Sequence, residues 1–252
     1  MSGFAGVMLA HKIPAAVTET DPYFSSVVLL SSFNSTISDD RSRHTLTANV
    51  NSGSIYPTIS SSQSKFGGSS VYYQNGSSRN TSPWIRIFDN TSDFQFGTGN
   101  FTVECWIYVS TTYDGTNTSN EAIFCPAANT TGSSIWVMAV NRVSGQNYWN
   151  LLDWDGSSEK KTTLNLAFNT WHHVCASRSG ANLYYGANGT LQLLSSSYGS
   201  KNISDSGRPA FKNDPYGETW WSGYFDEVRI TKGVARYTGS SYTVPTTAFP
   251  RS

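Results

Sequence analysis

The chain has little charge, little cysteine and no long apolar run, and each shortage removes a class of protein. Charged residues are only 13% of the 252, and 17 Lys and Arg balance 17 Asp and Glu. No net field is available to hold a phosphate backbone or an anionic bilayer, so nucleic acid is excluded as the main partner. No apolar stretch approaches the ~20 residues that cross a bilayer as a helix, and no membrane insertion is expected. Three cysteines, Cys105, Cys125 and Cys175, cannot all pair with one another. Cys105 and Cys175 fall in strand patterns where a thiol packs as a small apolar group, and all three read as reduced. The four histidines have no Ser or Cys motif around them, which leaves no nucleophile and base arrangement. Heptads and short repeats are missing, against a fibre shaft. Residues 4–10 form a short apolar run with no basic residue before it, so no secretory signal is expected.

What is present is alternation. Residues 101–109, FTVECWIYV, set Phe101, Val103, Cys105, Ile107 and Val109 against Thr102, Glu104, Trp106 and Tyr108, the period of a strand. One face is core. The other is too aromatic to stand in water, so the pattern predicts a central strand in a sheet covered on both sides. Residues 171–178, WHHVCASR, and 223–231, GYFDEVRIT, are its expected neighbours. Shorter strand patterns fall at residues 27–33, 46–50, 71–73, 84–87, 122–124, 135–142, 148–154, 164–168, 183–185 and 191–194. Asn188-Gly189 between the last two favours the positive φ angles of a tight hairpin turn. Even spacing, Gly, Ser and Asn turns and no long amphipathic helix predict an all-β, antiparallel two-sheet sandwich. A chain of this size buries roughly three quarters of its unfolded surface without staples. Residues 1–20 fit neither pattern and read as an N-terminal arm; residues 21–252 read as the sandwich domain.

These stretches, in their order, resemble the concanavalin A-like lectin/glucanase superfamily, and within it the laminin G-like branch. The resemblance rests on the strand after Gly97-Thr98-Gly99, on Trp171-His172-His173-Val174 followed by Leu183-Tyr184-Tyr185 and Asn188-Gly189, and on residues 223–230, GYFDEVRI. Asp21-Pro22-Tyr23-Phe24, residues 64–70, SKFGGSS, and residues 231–237, TKGVARY, look like domains found in tailed-bacteriophage virion proteins. The resemblance implies a jelly-roll fold, whose members include lectins, adhesion modules, glycosidases and structural modules, so the fold does not choose a function.

The residues narrow the choice. A glycan-cleaving relative would carry paired carboxylates on one strand face, and no Glu-x-Asp-x-x-Glu occurs. Asp226 and Glu227 are adjacent and in a regular strand would point to opposite faces, so both, with Glu104, are expected to hydrogen-bond within the sheet or at its rim. No cofactor is expected. A calcium ion is left open, through loop oxygens near Asp89, Asp93 and Asn100, although Gln74-Asn75-Gly76 and Asn100 stand where relatives often carry acidic residues. Asp153-Trp154-Asp155-Gly156 fails the spacing of a calcium loop and reads as a turn. Trp149, Trp154, Tyr216, Trp220 and Trp221 lie near strand ends or loops, where an aromatic face can stack on a sugar or pack on a protein. Trp106, Trp136 and Trp171 read as core. Phe4, Val7, Met8, Leu9 and Ile13 of the arm have no place in a completed sandwich and suit contact with another subunit. The leading expectation is a non-enzymatic virion surface protein of a tailed phage that contacts other virion proteins and copies of itself. The alternative is a carbohydrate-binding adhesin for host surface glycans.

Overall fold

The computed structural model describes residues 20–50, 54–74, 83–89, 91–112, 120–126, 136–142, 148–154, 159–204, 207–212 and 221–252. They form two antiparallel sheets packed face to face, as expected. The first sheet runs β13 (Thr190–Ser195), β12 (Asn182–Ala187), β11 (Trp171–Ser179), β6 (Phe101–Thr112), β15 (Trp221–Lys232), β4 (Ser70–Tyr73), β3 (Thr58–Ser60), with β1 (Val27–Ser31) also paired to β15. The second runs β10 (Glu159–Ala167), β9 (Tyr148–Trp154), β8 (Val137–Arg142), β7 (Asn120–Cys125), β14 (Ala210–Phe211), β5 (Pro83–Ile87), β2 (Leu46–Val50). β6 lies in the middle with β11 and β15 as its neighbours, the two partners the alternation pattern requires. Only β3 and β14 were not legible, being too short to show a period. The β12–β13 turn has φ of 49° at Asn188 and 92° at Gly189, the left-handed pair that a two-residue hairpin needs.

Register assigns the faces. On β6, Phe101, Val103, Cys105, Ile107 and Val109 enter the layer between the sheets, where they meet Ile85 and Ile87, Phe124, Met138 and Phe211 of the second sheet. Trp136 caps this core, its ring 5.1 Å from that of Phe101. All three cysteines are buried and none is in a disulfide, as read from the sequence.

The other face of the first sheet is covered over half its length. Residues 234–250 form no strand or helix apart from a single bridge between Ser241 and Thr190, and cross that face. They are held by Arg236 N on Thr102 Oγ1 (2.9 Å), Tyr237 Oη on Glu104 Oε2 (2.6 Å) and Phe249 N on Glu227 Oε2 (2.8 Å). β15 is paired to β4 along its first half and to β1 along its second. Between them, from Asp226 to Arg229, lies a bulge in its pairing with β6, with Glu227 at φ 45°. The bulge corrects the expected divergence of Asp226 and Glu227. One extra residue breaks the alternation, and both carboxylates turn to segments covering this face: Asp226 accepts from the amides of Lys65 (2.7 Å) and Phe66 (3.1 Å), Glu227 from that of Phe249.

Candidate functional site

The outer face of the first sheet divides into a buried polar half and a partly exposed aromatic half. In the buried half, Glu104 accepts from Arg229 Nε (2.8 Å) and Tyr237 Oη (2.6 Å) and lies 3.2 Å from His173 Nε2. Asp21 reaches in to Arg229 (3.1 Å) and takes a two-point contact from Arg236 (2.9 and 2.7 Å). Burial alone would push the Glu104 carboxyl up, but the Arg229 guanidinium and the His173 ring outweigh it and hold it well below the usual carboxylate range. Burial, with Glu104 next to it, pushes the Tyr237 hydroxyl far up, so it stays a donor. Two arginines and two carboxylates balance, and the arrangement clasps the covering segment onto the sheet. A cavity of about 340 Å³ lies between residues 20–23 and 243–250, with Arg229 and Arg236 on its wall. Both guanidiniums are already engaged by Asp21, so it offers no free charge.

Past Trp106 the face is less deeply buried. Trp106 is itself buried, with the Lys65 ammonium 4.0 Å above its ring and Phe66 edge-on at 5.9 Å. One step further along β6, register lines up four aromatic residues across four consecutive strands. Tyr72 on β4 is opposite Tyr224 on β15, Tyr224 is opposite Tyr108 on β6, and Tyr108 is opposite Trp171 on β11. Neighbouring ring centroids are 4.8, 5.7 and 5.6 Å apart, and all four rings are partly exposed. Thr58 of β3, opposite Tyr72, ends the row with a hydroxyl. An uncharged row of rings with phenol hydroxyls along it can stack on apolar faces and donate or accept hydrogen bonds beside them.

This row was not foreseen. Trp171 read as core, but it stands at the first position of its strand and is only partly buried. Trp106 and Trp136 are core, as expected. Trp221 corrects the reading in the other direction. β15 begins at this residue, two earlier than expected, and its ring is fully buried in the layer between the sheets, 5.1 Å from Phe225. It cannot meet a sugar. Trp149 and Trp154 belong to β9, where they pair with Leu166 and Val137, but their side chains are outside the described set. Tyr216 and Trp220 lie outside the described residues, as do Phe4, Val7, Met8, Leu9 and Ile13.

The calcium ligand set is not assembled. His44, with a fully buried ring, stands between Asp89 (3.4 Å) and Asp93 (3.3 Å), and Arg43 takes Asp93 at 2.6 Å. Asp89 also accepts the Thr45 amide at 3.0 Å. The Asn100 side chain turns away to accept the amide of Gly180 at 2.8 Å. The Arg43 guanidinium and the Thr45 and Gly180 amides therefore use oxygens that a metal ion would need. Among the described residues, no cluster of three or more His, Cys, Asp or Glu side chains could hold a metal ion.

Two antiparallel sheets packed face to face in this way form a concanavalin A-like jelly-roll sandwich. Residues 79–236 match the family model described as the concanavalin A-like lectin/glucanases superfamily, and the chain belongs to that superfamily. Among solved structures, it is similar to domain 4 of a GH43 extracellular arabinanase from Geobacillus stearothermophilus, determined with arabinotriose. That likeness has a TM-score of 0.58 and 15% identity over 83% of this chain and 94% of that one. The binding domain of botulinum neurotoxin DC, in complex with rat synaptotagmin II, matches with a TM-score of 0.56 and 15% identity over 84% of this chain and 49% of that one. The binding domain of Paraclostridial Mosquitocidal Protein 1 matches with a TM-score of 0.54 and 15% identity over 84% and 50%. At such identities the likeness is one of fold. No curated protein sequence matches this one.

Proposed function

We propose that this protein is a non-catalytic glycan-binding module on the surface of a tailed-phage virion. The observation that carries the binding role is the row Tyr72, Tyr224, Tyr108 and Trp171, aligned by register and partly exposed. Similarity in fold to an arabinanase domain determined with arabinotriose supports the same role. The non-catalytic reading rests on the carboxylates of that face. Glu104, Asp226 and Glu227 are each fully buried and bound to arginine, tyrosine or backbone amides, so none is free to protonate a leaving group or attack a sugar.

The virion setting rests on the resemblance of residues 21–24, 64–70 and 231–237 to domains of tailed-bacteriophage virion proteins. Asp21 of the first stretch binds Arg236 of the third, while the Lys65 and Phe66 amides of the second go to Asp226. In this setting the arm residues Phe4, Val7, Met8, Leu9 and Ile13 anchor the module to other virion proteins or to copies of itself.

A glycan array probed with the wild-type protein and with Tyr224→Ala, each with and without calcium, tests the binding role. Calcium-independent hits that vanish in the variant are expected. Hits that persist in the variant, or none at all, would remove the aromatic row as a binding site. Labelling of intact particles with an antibody against the protein tests the setting, and absence from the particle surface would exclude it.

A further inference from the structure

We infer that the aromatic row selects a neutral, unbranched β-1,4-linked pyranose chain lying across the strands, an assignment that rests on the glycan-binding reading above. Three features of the row point there. First, it is straight in register and crosses four strands, which at the ~4.8 Å spacing of strands makes it about 14 Å long. A ligand that uses all of it must be extended, and a coiled α-linked chain curves away after one or two contacts.

Second, the rings are not one flat platform. Tyr72 and Tyr224 are tilted by 34°, but Tyr108 stands at 82° to Tyr224 and at 61° to Trp171. Tyr108 therefore divides two stacking positions, Tyr224 and Trp171, which are two strand spacings or about 10 Å apart. In an extended β-1,4-linked chain each unit is flipped relative to the last, so units i and i+2 turn the same face to a surface. Their separation is two ring lengths, close to that of the two stacking positions. Stacking also needs a C–H face free of axial hydroxyls, which all-equatorial pyranoses present on both sides.

Third, the row carries hydroxyls but no charge. Among the described residues, the Lys65 ammonium is seated over Trp106 at 4.0 Å, and Glu104 and Asp226 on the same face are buried. A sialylated or sulfated chain finds no counter-charge in the row itself, while a neutral chain leaves no charge to be desolvated.

Calorimetric titration with cellotetraose, xylotetraose and chitotetraose, against maltotetraose and sialyllactose as contrasts, tests the assignment. At least one β-1,4-linked tetrasaccharide should bind about tenfold tighter than its disaccharide, because only the longer chain reaches both stacking positions. Tyr224→Ala and Trp171→Ala should each weaken it about tenfold, with unchanged melting temperature. Trp171→Leu, which keeps apolar bulk without the indole face, replaces Trp171→Ala if that variant does not fold. Binding of maltotetraose or sialyllactose alone, lost in the same variants, would overturn the linkage and charge assignment and leave the row as a glycan site. Binding indifferent to both variants, or absent for every sugar, would overturn the site itself.

Discussion

Trp106 and Glu104 are two residues apart on one strand face, and both would be exposed if that face met solvent. Instead Trp106 is 4% exposed and Glu104 is fully buried, because residues 234–250 and the loop at Lys65 lie over them. Their energetics differ. Glu104 is a buried charge whose worth depends on keeping Arg229 beside it, so the pair is a device for placing the covering segment more than a source of net stability. Trp106 is simple packing under Lys65, Phe66 and His173. Trp106→Ala should cost roughly 3 to 5 kcal/mol, read from urea unfolding. A loss under about 1 kcal/mol would mean that the ring contributes little to the packing.

At the scale of elements, the decisive feature is the bulge of β15. It holds a non-glycine residue at φ 45°, a conformation that costs energy unless its surroundings fix it. Here Asp226 Oδ1 accepts the Glu227 amide at 2.8 Å, and the Glu227 carboxylate meets Arg251 at 3.2 Å. Burial pushes the Asp226 carboxyl up to about 7 despite its amide donors, with the neighbouring Glu227 adding to the rise. A carboxyl raised in the folded state binds more protons there than in the unfolded chain between 3.8 and about 7. Stability should therefore fall as pH rises through that window, the reverse of the usual carboxylate behaviour. Glu227, also raised, adds a slope of the same sign. Comparing urea midpoints at pH 5 and pH 7.5, wild type should lose stability and Asp226→Asn should lose clearly less. Equal slopes would show that Asp226 does not titrate there.

For the whole molecule, the join between arm and sandwich matters most. Asp21 N donates to Ser252 O at 2.9 Å while the Asp21 carboxylate binds Arg229 and Arg236, so one residue ties the two ends of the domain together. A chain beginning at Asp21 should keep its melting temperature yet fail to join the particle if the arm is the anchor. A chain beginning at Tyr23 removes the carboxylate from two buried arginines. At about 3 kcal/mol for a broken buried pair, it should melt roughly 6 to 12 °C lower. Normal incorporation of the chain beginning at Asp21 would dispose of the anchoring role.

The positions of most strands along the chain, the central place of β6, its two neighbours and the Asn188-Gly189 turn could all be read from the chain, because alternation and turn chemistry are local properties. The buried state of Cys105, Cys175 and Trp106 followed from the same alternation. The site could not be read. Tyr72, Tyr108, Trp171 and Tyr224 are up to 152 residues apart in sequence, and nothing in any one strand says which residues of another stand opposite. Only register aligns them. The same holds for Trp221, whose neighbours on either side gave no sign that the strand starts there, and for Asp226 and Glu227, which a single inserted residue sends to the same face. Periodicity tells a residue's side within its own strand. Which sides are covered, and by what, is settled by contacts between segments far apart in the chain.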